Sequence, residues 1–416
     1  MKRRHLLMLL GGVTLAGAAR LGCFRLARPG SPSGPLSRRA RVLIERAWGG
    51  LDPKRVLDAH VHIVGLGAGG TGCWVNEKMQ RYFAYPLQYA RFSIYRTAAG
   101  IEDDARGDQQ YVERLLSLIR QGPAHGRALI MAFDQVHDEE GKAQAELSEL
   151  FTPNDYVLRL AKEHPDAFVP CASIHPYRRD AVSALEEAVR GGAVAVKWLP
   201  NAMRMDPSSP KCDAFYQKLA ELQVPLITHA GEEKAVHAEE AQRFGNPLHL
   251  RRALDVGVKV VVAHCASLGQ NPDLDAEVKE GEARPWVDNF ELFLRLMGEK
   301  KYEGQLFGDL SALPQFNRVG RPLTEMLKRP DLQARAINGS DYPLPAVNVL
   351  MQTSTLESQG YLNAPEREAL NEIDQHNPLL FDFVMKRTLK VKEGKVEHRF
   401  GPQAFMTRPE LFSRLG

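Results

Sequence analysis

From Val56 almost to the end of the chain, short apolar runs alternate with longer stretches of helical periodicity. A strand that returns parallel to its predecessor needs a crossover of this kind, so the alternation predicts a parallel α/β fold rather than hairpins or a helix bundle. The strand candidates are Val56 to Ile63, Ala128 to Phe133, Phe168 to Ile174, Val194 to Leu199, Pro225 to His229, Lys259 to His264, Gln305 to Leu310, and Ala334 to Asp341. Eight such units are what a (β/α)8 TIM barrel requires. Between strands, Asp180 to Arg190 carries Ala181, Leu185 and Val189 on one face and stops at Gly191-Gly192. Phe290, Phe293, Leu294 and Met297 repeat that spacing. Asn377-Pro378 reads as an N-cap followed by proline at the first helical position, opening a last helix that turns Leu380, Phe383 and Val384 inward.

A chain of 416 residues that is 44% hydrophobic has ample apolar surface for a large core, which excludes a disordered protein. Length alone does not set the domain count, because a decorated barrel reaches this size as one unit. We read residues 51–416 as a single barrel domain with a long loop insertion after strand one and a short C-terminal tail. That insertion, Val64 to Arg127, begins with the glycine-rich run Gly65 to Gly70. The run lacks the GK[ST] ending of a phosphate loop, so a flexible lid or loop is expected rather than a nucleotide site.

The net charge of +3, from 54 basic and 51 acidic residues, marks no nucleic-acid-binding surface, and no nucleic-acid partner is expected. Cys23, Cys73, Cys171, Cys212 and Cys265 are scattered without a CxxC, which argues against both a disulfide framework and a thiolate metal site. Cys171 and Cys265 read as small buried residues in strands.

Residues 1–28 differ in kind. Lys2, Arg3 and Arg4 precede an apolar stretch from Leu6 to Ala18 that is short for a bilayer span but suits a signal-peptide core. Arg3-Arg4 followed by His5-Leu6-Leu7 resembles a twin-arginine export signal, which implies an exported, periplasmic protein; an uncleaved N-terminal anchor is the alternative. Ala16-Gly17-Ala18 is a candidate cleavage site, and Arg20-Leu21-Gly22-Cys23 matches a lipoprotein box only in part. Membrane contact is expected through this segment alone. Residues 29–50 are read as a linker, Pro/Ser/Gly-rich from Pro29 to Pro35, and an N-terminal helix.

Chemistry enters at Asp58-Ala59-His60-Val61-His62. Side chains alternate along a strand, so His60 and His62 project to one side, where two imidazoles can grip one metal ion. Four later strands also end in metal-competent polar residues where an apolar core predicts none: Lys197, His229, His264 and Asp341. The C-terminal ends of barrel strands share one face, the face on which active sites are built, so these residues should converge.

This set resembles the amidohydrolase superfamily, in its amidohydrolase-related branch, over roughly Val56 to Leu389. The resemblance implies that His60, His62, His229 and Asp341 hold a divalent metal, with zinc the first choice for an imidazole-rich set and one or two ions per site. His264 is implied as a ligand of a second ion or as the group that polarises the substrate. Lys197 is implied either as a carboxylated bridge between two ions or as an unmodified cation facing a substrate carboxylate. Asp341 is implied as the base that takes a proton from the attacking water. The activity implied is hydrolysis of an amide, ester or lactone-like bond in a small molecule; the alternatives are a non-oxidative decarboxylase with the same ligands, and a barrel that only binds. Oligomeric state is left open between a monomer and a homo-oligomer.

Less specific candidates are His175, as a residue behind the site or a helix cap, and Glu232 and Glu233, as substrate-orienting groups or a solvated helix start. Trp74, Tyr85, Arg91, Tyr95 and Arg96, in the insertion, are candidate pocket residues.

Overall fold

A computed structural model describes Ala27, Gly30 and residues 34–121, 126–235 and 239–415. The signal assigned to residues 1–28, Arg3-Arg4 and Cys23 included, lies outside the described residues except for Ala27.

Eight parallel strands form one sheet in chain order. They are β1 (Leu57–His62), β2 (Arg127–Met131), β3 (Phe168–Ala172), β4 (Ala195–Trp198), β5 (Leu226–His229), β6 (Val260–Ala263), β7 (Leu306–Asp309) and β8 (Ala336–Ile337). Every residue of β4 to β7 is buried, as expected when helices cover the outer face and side chains fill the interior.

Strand eight is shorter than predicted. The chain leaves the ladder after Ile337, and Asp341 adopts a left-handed backbone, φ 61°, which aspartate tolerates better than most residues. The sheet nevertheless closes across this segment: Ala59 N donates to Asn338 O at 2.9 Å, Asp341 N to His60 O at 2.8 Å, and His62 N to Tyr342 O at 3.1 Å. Gly339 permits the approach, since a Cβ there would lie 2.5 Å from the Cβ of His60.

The helices follow the sequence periodicity closely. Ala181–Arg190 buries Ala181, Leu185 and Val189, and Asn377 caps the last helix by accepting from Leu380 N at 2.9 Å. Leu294 and Leu380, expected on the buried faces, are only half-buried; Leu292 and Phe381 take those places. The N-terminal helix Arg38–Trp48 is capped by Ser37 and buries Ala40, Leu43, Ile44 and Ala47, packing on the last two long helices, Ala364–His376 and Pro378–Thr388. None of the helices among the described residues is long and apolar enough to cross a membrane.

Two expectations change. The insertion after β1 is not a simple loop: it contains helices Pro86–Ala98 and Gly107–Arg120, and Trp74–Val75 pairs with Leu150–Phe151 from beyond β2. Nor is its glycine-rich run a free lid. The amides of Leu66, Gly67 and Ala68 donate to the buried Asp108 carboxylate at 2.6, 3.2 and 3.3 Å, and the Thr71 hydroxyl joins them. A carboxylate cradled by successive N–H groups pins the loop. Gly65 carries no Cβ because one would run into that carboxylate.

The C-terminal tail is likewise structural. Lys390–Glu393 and Val396–Arg399 form a hairpin, and Leu411 and Phe412 then enter the cluster that fills the barrel interior with Leu57, Leu129, Ile227 and Phe307. Phe412→Ala should therefore destabilise the fold by about 3–5 kcal/mol in a denaturant titration. An unchanged midpoint would show that the tail does not seal the barrel.

Candidate active site

The first strand does not alternate regularly. Leu57 and Asp58 pair with Arg127 and Ala128, whereas Val61 and His62 pair with Ile130 and Met131, so one extra residue sits between Asp58 and Val61. Such a bulge re-aims side chains. It lets Leu57 and Ala59 belong to the interior cluster while His60 and His62 both reach the cavity at the mouth of the barrel.

That cavity brings together the six residues singled out from sequence: His60, His62, Lys197, His229, His264 and Asp341 all line it. His60 Nε2 lies 3.2 Å from His62 Nε2 and 3.5 Å from Asp341 Oδ1, and His62 Nε2 lies 3.2 Å from the same oxygen. Atoms bound at about 2.0–2.2 Å to one ion sit roughly 3–3.5 Å apart, so this trio has the spacing of a shared metal. His264 Nε2 is 3.8 Å from Asp341 Oδ2. His229 is fully buried, yet neither ring nitrogen makes a hydrogen bond; its Nδ1 is 3.5 Å from Glu233 Oε2. Buried polar atoms left without partners fit an imidazole meant to bind an ion.

Hydrogen bonding sets the tautomers. Asp309, fully buried at the end of β7, lies 2.5 Å from His60 Nδ1. A carboxylate only accepts, so Nδ1 carries the proton and Nε2 offers its lone pair to the cavity. His264 Nδ1 faces Ser311 O at 3.2 Å and Ser311 Oγ at 2.8 Å, which likewise leaves its Nε2 as the free lone pair. Lys197 Nζ is 2.9 Å from His60 Nε2, so lysine and a metal compete for one lone pair.

Burial governs the charges. It pushes His60, His229 and His264 well below the usual imidazole value, helped by Lys197 beside His60, by His264 and Arg318 beside His229, and by Arg318 beside His264. Burial also lowers the Lys197 ammonium, against the pull of Asp309 and Asp341. For Asp341, burial acts upward but is outweighed by the histidines and Lys197, and the group stays a carboxylate.

Backbone strain concentrates here too. His264, Cys265 and Ala266 all have positive φ, 55°, 50° and 51°, directly after β6. Left-handed conformations cost roughly 1–2 kcal/mol per non-glycine residue, and strain of this kind clusters at functional sites.

Sequence reasoning passed over Asp309 and Arg318. Asp309 obeyed the rule that found the others, a polar residue ending an apolar strand, but was not weighed. Arg318 is almost wholly buried and donates to Ser267 Oγ at 3.2 Å. Glu233 is buried beside His229 and no helix starts there, which corrects the solvated-helix alternative. His175 bonds elsewhere: its Nε2 meets Met203 O at 3.0 Å, and it does not line the cavity. In the insertion, Tyr95 and Arg96 line the cavity, whereas Trp74 and Tyr85 line a separate surface groove. Arg96 is engaged by Asp104 at 2.6 Å.

Comparison with known proteins adds the family. The amidohydrolase family model (Amidohydro_2) matches residues 57–348, well over half of the chain. No curated protein sequence matches significantly. Among solved structures, one described as a candidate 2-pyrone-4,6-dicarboxylic acid hydrolase from Pseudomonas putida is similar, with 18% identity and a TM-score of 0.41 over 79% of this chain and 98% of that one. An uncharacterized TIM-barrel protein from Bordetella bronchiseptica has 15% identity and a TM-score of 0.45 over 80% and 99%. A 2,6-dihydroxybenzoate decarboxylase from Rhizobium has 14% identity and a TM-score of 0.38 over 80% and 99%. On the family match, which spans every proposed ligand from β1 to Asp341, the chain belongs to the amidohydrolase family and is an enzyme of hydrolase type.

Proposed function

We propose that this protein hydrolyses an amide, ester or lactone-like bond of a small molecule at a site where His60, His62, His229 and Asp341 hold a divalent ion, zinc first. The observation that carries the reading is the convergence of His60 Nε2, His62 Nε2 and Asp341 Oδ1 within 3.5 Å of one another. A divalent ion there supplies Lewis acidity and lowers the pKa of water from 15.7 toward about 7. The chain supplies the rest. Asp341, ionised and facing both β1 histidines, takes the proton of the attacking water and returns it to the leaving group. Asp309 holds the His60 ring in the tautomer whose Nε2 faces the cavity. The lone pair of His264 points toward Asp341, which favours a ligand role over hydrogen-bond donation to the substrate. Burial lowers the Lys197 ammonium, which favours the amine that carbamate formation needs; on the bridging reading, that amine would add carbon dioxide and release a proton to give an anionic carbamate. Export through the Arg3-Arg4 signal belongs to the same proposal.

Four outcomes follow. Asp341→Asn should lower kcat by roughly 10²–10⁴-fold, and Asp309→Asn should weaken metal affinity about 10–100-fold, read by steady-state kinetics and a competing chelator respectively. Elemental analysis of the protein lacking its first 35 residues should give about two ions per chain, falling in Lys197→Ala, if Lys197 bridges; one ion indifferent to Lys197 would move the decarboxylase reading forward. Because His60, His229 and His264 are held below the ordinary value, protons compete with the ion only at lower pH than usual. Zinc occupancy measured by equilibrium dialysis should therefore persist as pH falls through about 6.5 and drop below that; loss centred on the ordinary value would contradict the assignment.

A further inference from the structure

The walls above the metal-competent floor are almost entirely apolar. The cavity holds about 1020 Å³ of space, part of it open to solvent, and its sides include Phe92, Ile101, Phe133, Leu150, Leu199 and Leu344. The polar groups on these walls are turned to other tasks. Tyr95 donates its hydroxyl to Ala235 O at 3.0 Å, and Tyr111 donates to His62 O at 2.6 Å. Arg96 is paired with Asp104 at 2.6 Å. Glu233 Oε1 accepts from Ala235 N at 2.5 Å. Arg318 does not line the cavity.

Among the described lining residues, then, the wall cation Arg96 is held through its Nη2 by Asp104, with its Nε buried and making no hydrogen bond, while Glu233 adds an acidic side chain. A second carboxylate on the substrate's wall-facing group would lose its hydration and meet there only a cation already paired with Asp104, a cost that burial imposes on poorly compensated charge. An aryl or branched alkyl group would instead gain about 25 cal/mol for each Å² it buries.

We infer that the substrate carries its scissile bond on an uncharged aryl or branched alkyl group, and that the walls reject analogues with a further carboxylate on that group. This rests on the hydrolase reading, and it narrows that reading to neutral hydrophobic esters, lactones or amides. Its basis is the insertion after β1 as much as the barrel: Phe92 and Ile101 come from that segment, so substrate polarity is set by the part of the chain least like a plain (β/α)8 unit.

The test uses one skeleton with and without the charge, on the zinc-reconstituted protein. Benzyl acetate should be hydrolysed with a kcat/KM at least tenfold above that of 4-carboxybenzyl acetate. In calorimetry, benzyl alcohol should bind at least tenfold more tightly than 4-(hydroxymethyl)benzoate. Phe92→Ala should erode the preference while leaving zinc content unchanged. Equal or reversed preference in either measurement, or no binding of benzyl alcohol, overturns the inference. Absence of hydrolysis with the binding preference intact overturns the hydrolase reading alone and leaves the wall assignment standing.

Discussion

The seam between β1 and the segment after β8 does two jobs at once. Its backbone hydrogen bonds, from Ala59, Asp341 and His62, close the sheet into a barrel, and the same three links set His60 and His62 against Asp341. Residues at the two ends of the barrel sequence thereby come within 3.2–3.5 Å of each other in the site. Beneath the seam lies a buried set of charges. Lys386 donates to Gly339 O at 2.5 Å and to Asp382 at 2.6 Å, while Asp58 accepts from Ser340 N at 2.8 Å and His60 N at 3.2 Å. Burial pushes Asp58 up to about 6 and Asp382 up to about 7, so the backbone that carries the proposed ligands is held by groups that low dielectric makes hard to ionise.

From this seam the site is built outward by single contacts that fix orientation rather than add ligands. Asp309 sets the ring of His60, Ser311 sets His264, and the left-handed turn at His264 to Ala266 holds that ring at the mouth. Strain there is borne by the buried strands around it. The insertion plays the complementary part. With its first loop pinned by Asp108, its helix Pro86–Ala98 can present Phe92 and Tyr95 to the cavity from a fixed position.

Much of this was legible in the chain. Hydrophobic periodicity located every barrel strand, and the rule that a polar residue at a strand's end faces the catalytic side picked out six residues that do share one cavity. The rest was hidden for identifiable reasons. A bulge at Asp58 to Val61 leaves no sequence mark, because HxH reads the same in a regular strand. Asp309 carried the same strand-end signal as the others, but its task of orienting the His60 ring shows only once His60 is seen beside it. Asp108 pins the glycine run from some forty residues away, and Leu411 and Phe412 are two ordinary apolar residues in a tail until they are found inside the barrel. Short-range patterns survive in sequence, whereas contacts between distant segments do not.

The central claim is that His60, His62 and Asp341 bind one divalent ion. Anomalous diffraction at the zinc edge, on crystals of the zinc-reconstituted protein, tests it directly. A peak within bonding distance of His60 Nε2, His62 Nε2 and Asp341 is the predicted result. Zinc found elsewhere, or no peak while Lys197 remains bonded to His60 Nε2, would contradict the account.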